Sequence, residues 1–257
     1  MPRFLVLAIL SVLVVSLGCA NQQPVSSFVP SPYHPSTPAS SLARPSTIKK
    51  DRDWGVPTAK PRVTEPGPVA QVPSVGGVHC RSEWATVAPI LSRIDPMGTP
   101  TCITVHHEGD YASPMSQSYV CGHLRAIRTQ QVKDKASGGL GAGDIAYHFI
   151  IEPSGSVWEG RSLQYQGAHA GNALANHGNI GICLLGNFDT QPVPEAQKRA
   201  LRSLLVTLMK RYNIPPSAVY THREVKQHFG LPATDCPGRN LQAFMDGLRS
   251  ELRVASR

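Results

Sequence analysis

The chain has 257 residues, 41% of them hydrophobic, which suits one good-sized packed domain plus appendages and excludes a wholly disordered protein. Lys and Arg number 25 against 17 Asp and Glu, a formal charge of +8. That balance favours polyanionic neighbours, whether nucleic acid, anionic lipid or an acidic wall polymer, and does not choose among them.

The N-terminus narrows the setting. "MPRFLVLAILSVLVVSLGCA" carries one Arg, then an apolar run from Phe4 to Val15 that is short for a membrane span and reads as a secretory signal. Leu17-Gly18-Cys19 is similar to a bacterial lipobox, with Cys19 as the lipidated first residue of the mature chain; Ser16 stands where such boxes usually carry Leu. An uncleaved anchor and an ordinary signal peptide are the alternatives, and all three readings export the protein. Five cysteines then remain: Cys80, Cys102, Cys121, Cys183 and Cys236. An odd number in an oxidising compartment leaves at least one for work other than pairing, and Cys236 is the candidate.

Residues 20–77 hold eleven of the 23 prolines and eight serines, with few large apolar side chains. Such a stretch buries too little surface to offset its ordering entropy and reads as a semi-extended tether. The division is therefore residues 1–18 signal, 19–77 tether and 78–257 folded domain. Within the domain, "TCITVHHEG" (101–109) is a β-branched strand, and 116–134 has helical periodicity up to "SGG". "IAYHFIIEPSGSVWEGR" (145–161) predicts a hairpin around Pro153-Ser154-Gly155-Ser156. "NIGICLLGNF" (179–188) is an apolar buried strand. Residues 193–213 form an amphipathic helix with Leu201, Leu204, Leu205 and Leu208 on one face. "AVYTH" is a short strand, "KQHFGLP" (226–232) a loop, and 240–254 a final helix. This order predicts an α/β domain: a central mixed β-sheet flanked by α-helices.

Histidine and cysteine chemistry stands out. Successive strand residues face opposite ways, so of His106 and His107 at most one aims at a given site. His222 ends a second strand, and Cys236 follows in a loop held by Pro237-Gly238. Two histidines and a thiolate suit zinc, and three protein ligands leave the fourth position for water, as in catalytic sites. Spacing alone is a weak signal, because the residues are over a hundred positions apart, and a lone strand histidine is more often structural.

In order along the chain, "TVHHEG", "GDIAYHFIIEPSGSVWEGR", "GAHA", "NIGICLLGNF", "THREV" and "TDCPG" resemble the zinc-dependent N-acetylmuramoyl-L-alanine amidases, which include phage lysozyme-type amidases and peptidoglycan recognition proteins. The resemblance covers about residues 78–250. It implies that His106, His222 and Cys236 bind Zn2+, that Tyr147 is the catalytic tyrosine, and that Thr234 takes the place where phage members carry a lysine. It further implies that His169 lines the site against substrate or the developing charge, with His107 beside it. The implied reaction is hydrolysis of the amide between N-acetylmuramic acid and L-alanine, in peptidoglycan or muropeptides, by a monomer with no nucleic-acid partner. Non-catalytic recognition members usually lose the metal cysteine, which this chain keeps. Together with Cys19 this places the protein in the cell envelope, lipid-anchored to the outer membrane and facing the periplasm. The His222-to-Cys236 gap is longer than in the recognition proteins, which sends "KQHFGLP" outward.

Overall fold

A computed structural model describes residues 77–255. The signal segment, Cys19 and all of the Pro/Ser-rich stretch but its last residue lie outside the described residues. Within them the elements run β1 (Val78–His79), α1 (Arg81–Trp84), β2 (Cys102–His107), α2 (Gln117–Val132), β3 (Phe149–Ile151) and β4 (Val157–Glu159). They continue with α3 (Ala173–Asn176), β5 (Asn179–Leu184), α4 (Glu195–Tyr212), β6 (Val219–Thr221), α5 (His222–His228) and α6 (Arg239–Ala255).

The six strands form one mixed sheet in the order β1-β4-β3-β5-β2-β6. Only the β3–β4 hairpin is antiparallel. The two long central strands, β2 and β5, are buried along their whole length. Their near-continuous apolar and β-branched runs suit strands covered on both faces. α4 contributes the stripe foreseen from its leucines: Leu201, Leu204, Leu205 and Leu208 are all buried. Each such leucine is worth about 1.5–3 kcal/mol of burial. The helix stops at Asn213, which adopts a left-handed φ of 52° and returns its N–H to the Met209 carbonyl. Asn tolerates that conformation better than most residues. α2 starts where Ser116 accepts the Tyr119 N–H, a side-chain cap for an otherwise unpaired donor.

One element departs from expectation. The strand "AVYTH" ends at Thr221, and His222 opens a helix that runs to His228, so the first three residues of the anticipated loop are helical. The cause lies in "THRE": the Glu224 carboxylate reaches back to the Thr221 N–H at 2.9 Å, the capping-box pattern that starts helices. Among the described residues no helix is long and apolar enough to cross a membrane.

Candidate metal and catalytic site

The ligand candidates arrive from three parts of the fold. β2 carries His106 in register with Cys183 of β5. Thr221 hands the chain from β6 into α5, so His222 is the helix's first residue. Cys236 lies on the loop after α5, and its carbonyl accepts the Arg223 N–H at 3.1 Å, a first-turn donor that the helix cannot itself satisfy. The Arg223 guanidinium also donates to the Asp235 carbonyl at 2.9 Å, and Thr234 Oγ1 accepts the Cys236 N–H at 3.2 Å. The second and third candidates are thereby tied to each other.

One ligand atom from each of His106, His222 and Cys236 lies within 4.8 Å of the other two. His106 Nδ1 and Cys236 Sγ are 3.7 Å apart, close to the edge of about 3.6 Å for a tetrahedron with Zn–N near 2.05 Å and Zn–S near 2.3 Å. His222 Nε2 is buried with no hydrogen-bond partner. An orphaned imidazole nitrogen beside a second imidazole and a thiol is what a zinc ion would satisfy, so the donor set fits that metal.

Burial sets the protonation states. It pushes His106 well below its usual value, with further depression from the neighbouring His222 and His169. His222 falls to about 3, chiefly through burial and secondarily through His169. The Cys236 thiol is pushed up to about 12 by burial. Both imidazoles are neutral at pH 7, and the thiol needs a nearby cation to ionise.

Tyr147 lies beside this group, its ring 5.2 Å from that of His106 and 6.4 Å from that of His169. Its side chain hydrogen-bonds the Cys183 thiol, which burial holds well above the ordinary thiol value. The segment bearing Tyr147 is fixed by Arg161, whose buried guanidinium donates to the carbonyls of Asp144, Ile145 and Gln166. Asp144, fully buried, meets Arg128 Nε at 2.7 Å and Arg81 at 3.1 Å.

The comparisons with known proteins bear on these residues directly. The family model for N-acetylmuramoyl-L-alanine amidases matches residues 96–239, more than half of the chain. The chain belongs to the N-acetylmuramoyl-L-alanine amidase family. The reaction of that family is hydrolysis of the bond between N-acetylmuramic acid and L-alanine of peptidoglycan. Among its relatives, peptidoglycan-recognition protein SD of Drosophila simulans is 32% identical over 170 residues, 64% of this chain and 82% of that protein. The endolysin of Escherichia phage T7 is 36% identical over 120 residues, 44% of this chain and 71% of the phage protein. The crystal structure of Drosophila peptidoglycan recognition protein SD superposes with a TM-score of 0.55 at 28% identity, covering 65% of this chain and 92% of that one.

Not every sequence-derived residue of this amidase sits where it was expected. His106, His222, Cys236 and Tyr147 come together, and Thr234 lies two residues from Cys236 with its oxygen engaged by the Cys236 N–H. His107 turns to the other face of β2, where its Nδ1 accepts the Phe188 N–H at 3.3 Å and its ring packs against that phenyl group. It therefore does not join the group, as strand alternation requires. His169 is buried, and both ring nitrogens are held by protein rather than presented to substrate. All five described cysteines are free. Two residues escape sequence reading. Glu224 accepts both guanidinium nitrogens of Arg249 at 2.8 and 2.9 Å, and the same carboxylate caps the helix that begins with His222. The "THRE" spacing is a capping pattern that the strand reading of "AVYTH" passed over, and no local signal links Glu224 to an arginine 25 residues away.

Proposed function

We propose that this amidase is a zinc-dependent hydrolase whose metal is held by His106, His222 and Cys236. The observation carrying the reading is the convergence of those three ligand atoms beside the unpartnered Nε2 of His222. Bound zinc supplies a Lewis acid and a water whose pKa falls toward about 7. The chain's own groups do the rest. Tyr147, half-buried beside His106, offers a hydroxyl to the oxygen that gains charge as the amide carbon becomes tetrahedral. The Thr234 hydroxyl accepts the Cys236 N–H and still has its own proton to give, which makes it the second donor in this reading. The sheet floor and Cys183 fix the tyrosine, while the Arg161 clamp keeps its backbone in place.

We also propose that the protein is exported and anchored through lipid on Cys19, on the strength of the apolar N-terminal run and Leu17-Gly18-Cys19. Its substrate is then peptidoglycan or its muropeptide fragments at the envelope. Recognition-protein relatives have been crystallised with tracheal cytotoxin, a monomeric diaminopimelic acid-type peptidoglycan, and a fragment of that kind is a suitable first substrate. Purified protein incubated with a defined muropeptide should release the intact stem peptide, read by mass spectrometry. Chelation should abolish release and added zinc should restore it. Full activity after the metal is stripped would remove the zinc reading. Palmitate incorporation lost in Cys19→Ala supports the anchor, and equal labelling of both proteins rejects it.

A further inference from the structure

His169 connects the candidate metal site to the backbone of the sheet. Its Nε2 lies 3.1 Å from the Asn179 carbonyl oxygen and its Nδ1 lies 3.0 Å from His106 Nε2. A carbonyl only accepts, so His169 carries its proton on Nε2. In the neutral ring Nδ1 is then a lone pair, and it must be His106 that donates, from Nε2. A neutral His106 with its proton on Nε2 has its own lone pair on Nδ1, the atom that faces Cys236 Sγ.

We infer that His169 is a positioning residue that fixes the tautomer of His106, directing the His106 Nδ1 lone pair at the metal. This rests on the zinc reading above and deepens it. Metal-bound histidines usually donate their other N–H to an oxygen, which sets ring orientation and raises ligand basicity. Here a second imidazole takes that place, and the backbone carbonyl of Asn179 in turn sets the tautomer of that second ring.

The surroundings hold the ring of His169 tightly. Asn176 Oδ1 accepts the backbone N–H groups of both His169 and Ala170 at 2.9 Å. Asn176 is itself held by the Asn172 carbonyl at 2.7 Å, and Asn179 Nδ2 donates to the Ala175 carbonyl at 2.8 Å. Two glycines make room for the imidazole. A Cβ on Gly181 would lie 2.4 Å from His169 Cδ2, and one on Gly167 would lie 2.5 Å from the same atom. Neither distance is compatible with the ring in its present position, so the chain keeps bare backbone on both sides of it. A residue whose function was to touch substrate would not be enclosed in this way with both nitrogens occupied.

The test reads tautomer and metal affinity separately. In histidine-15N-labelled protein, with the His106 signals assigned from their loss in His106→Gln, ring correlations of the zinc-free wild type should show the Nε2–H form of His106. The Nδ1–H form would overturn the proposal. Zinc affinity, measured by competition with a chromophoric chelator, should fall about 10- to 100-fold in His169→Leu. His169→Asn, which returns an acceptor near the Nδ1 position, should recover much of that loss. An affinity within twofold of wild type in His169→Leu also overturns it. Should His169→Leu fail to fold, the wild-type tautomer decides. If wild type itself takes up no zinc, the metal reading fails, while the zinc-free tautomer still decides whether His169 orients His106.

Discussion

His106 Nδ1 and Cys236 Sγ meet at 3.7 Å although 130 residues of chain separate them. β2 delivers the first and the loop behind α5 the second, and the contact is braced from both sides. His169 holds the far nitrogen of His106, and Arg223 receives the Cys236 carbonyl on its N–H. The thiol is thus grouped with the two imidazoles of His106 and His222.

Replacing Cys236 by serine should remove the metal without unfolding the domain. A serine hydroxyl stays protonated at neutral pH, whereas zinc binding favours the thiolate. Metal content after dialysis should drop to background, and stem-peptide release should fall at least about 100-fold, beyond what losing an outer hydrogen-bond partner costs. Far-UV circular dichroism should match wild type. A serine protein that retained zinc and the wild-type rate would show that Cys236 is not a ligand.

Tyr147→Phe keeps the ring against His106 and deletes only the hydroxyl. If that hydroxyl donates to the developing oxyanion, kcat should fall about 10²- to 10³-fold, the usual loss for one such donor. KM and zinc content should hold, because neither substrate binding nor the ligands change. Steady-state kinetics on a muropeptide check this. A kcat within twofold of wild type would leave Tyr147 with a packing role only.

Arg249→Met should be among the most destabilising single changes in α6. Arg249 is buried and grips Glu224 with two nitrogens while also meeting Asp246. Its removal strands the buried Glu224 carboxylate, at a cost of about 3–5 kcal/mol. Urea unfolding should show that loss. The double variant Glu224→Gln with Arg249→Met should be less destabilised than the sum, because the orphaned charge is gone. Additive losses would mean that the pair carries no coupling.

Much of this fold and site was legible because local pattern and chemistry agreed. The leucine spacing of α4 and the β-branched run of β2 report packing partners through period alone. The candidate ligands were legible through motifs that resemble the amidases, spacing alone being a weak signal, and strand alternation already limited the His106-His107 pair to one inward ring. The start of α5 at His222 was misread as strand: the β-branched "AVYT" outweighed the capping signal that follows it. The hydrogen-bond partners of His169 and Arg249 were out of reach for another reason. Those partners lie 63 and 25 residues away in sequence, and such hydrogen bonds leave no periodic trace. Export suggested paired cysteines, yet Cys102, Cys121 and Cys183 pack into the core as thiols, an outcome that depends on tertiary position alone.

Acid should weaken the fold through His148 in a defined window. This ring is buried on the sheet, its Nδ1 accepting the Gly181 N–H at 2.9 Å and its Nε2 donating to the Tyr165 carbonyl at 3.0 Å. Burial, reinforced by the neighbouring His169, lowers it from 6.5 to about 3. The folded state therefore keeps the ring neutral while the unfolded chain protonates it near pH 6.5. Its contribution is present above that value and is lost as pH falls from 6.5 toward 3. Between pH 7 and pH 5 the loss from this one group is about 2 kcal/mol. His148→Asn retains an acceptor for the Gly181 N–H but has no proton to gain, so it should be less stable than wild type at pH 7 and lose less on acidification. Unfolding free energies from urea titrations at pH 7, 6 and 5 give the comparison, both proteins as purified so that the other buried histidines cancel. The gap between the two proteins should narrow as pH falls, with slopes approaching a difference of one proton, about 1.4 kcal/mol per pH unit. Parallel curves would mean that His148 accepts a proton in the folded protein as readily as in the unfolded one, against the burial and hydrogen bonding that the sheet imposes on it.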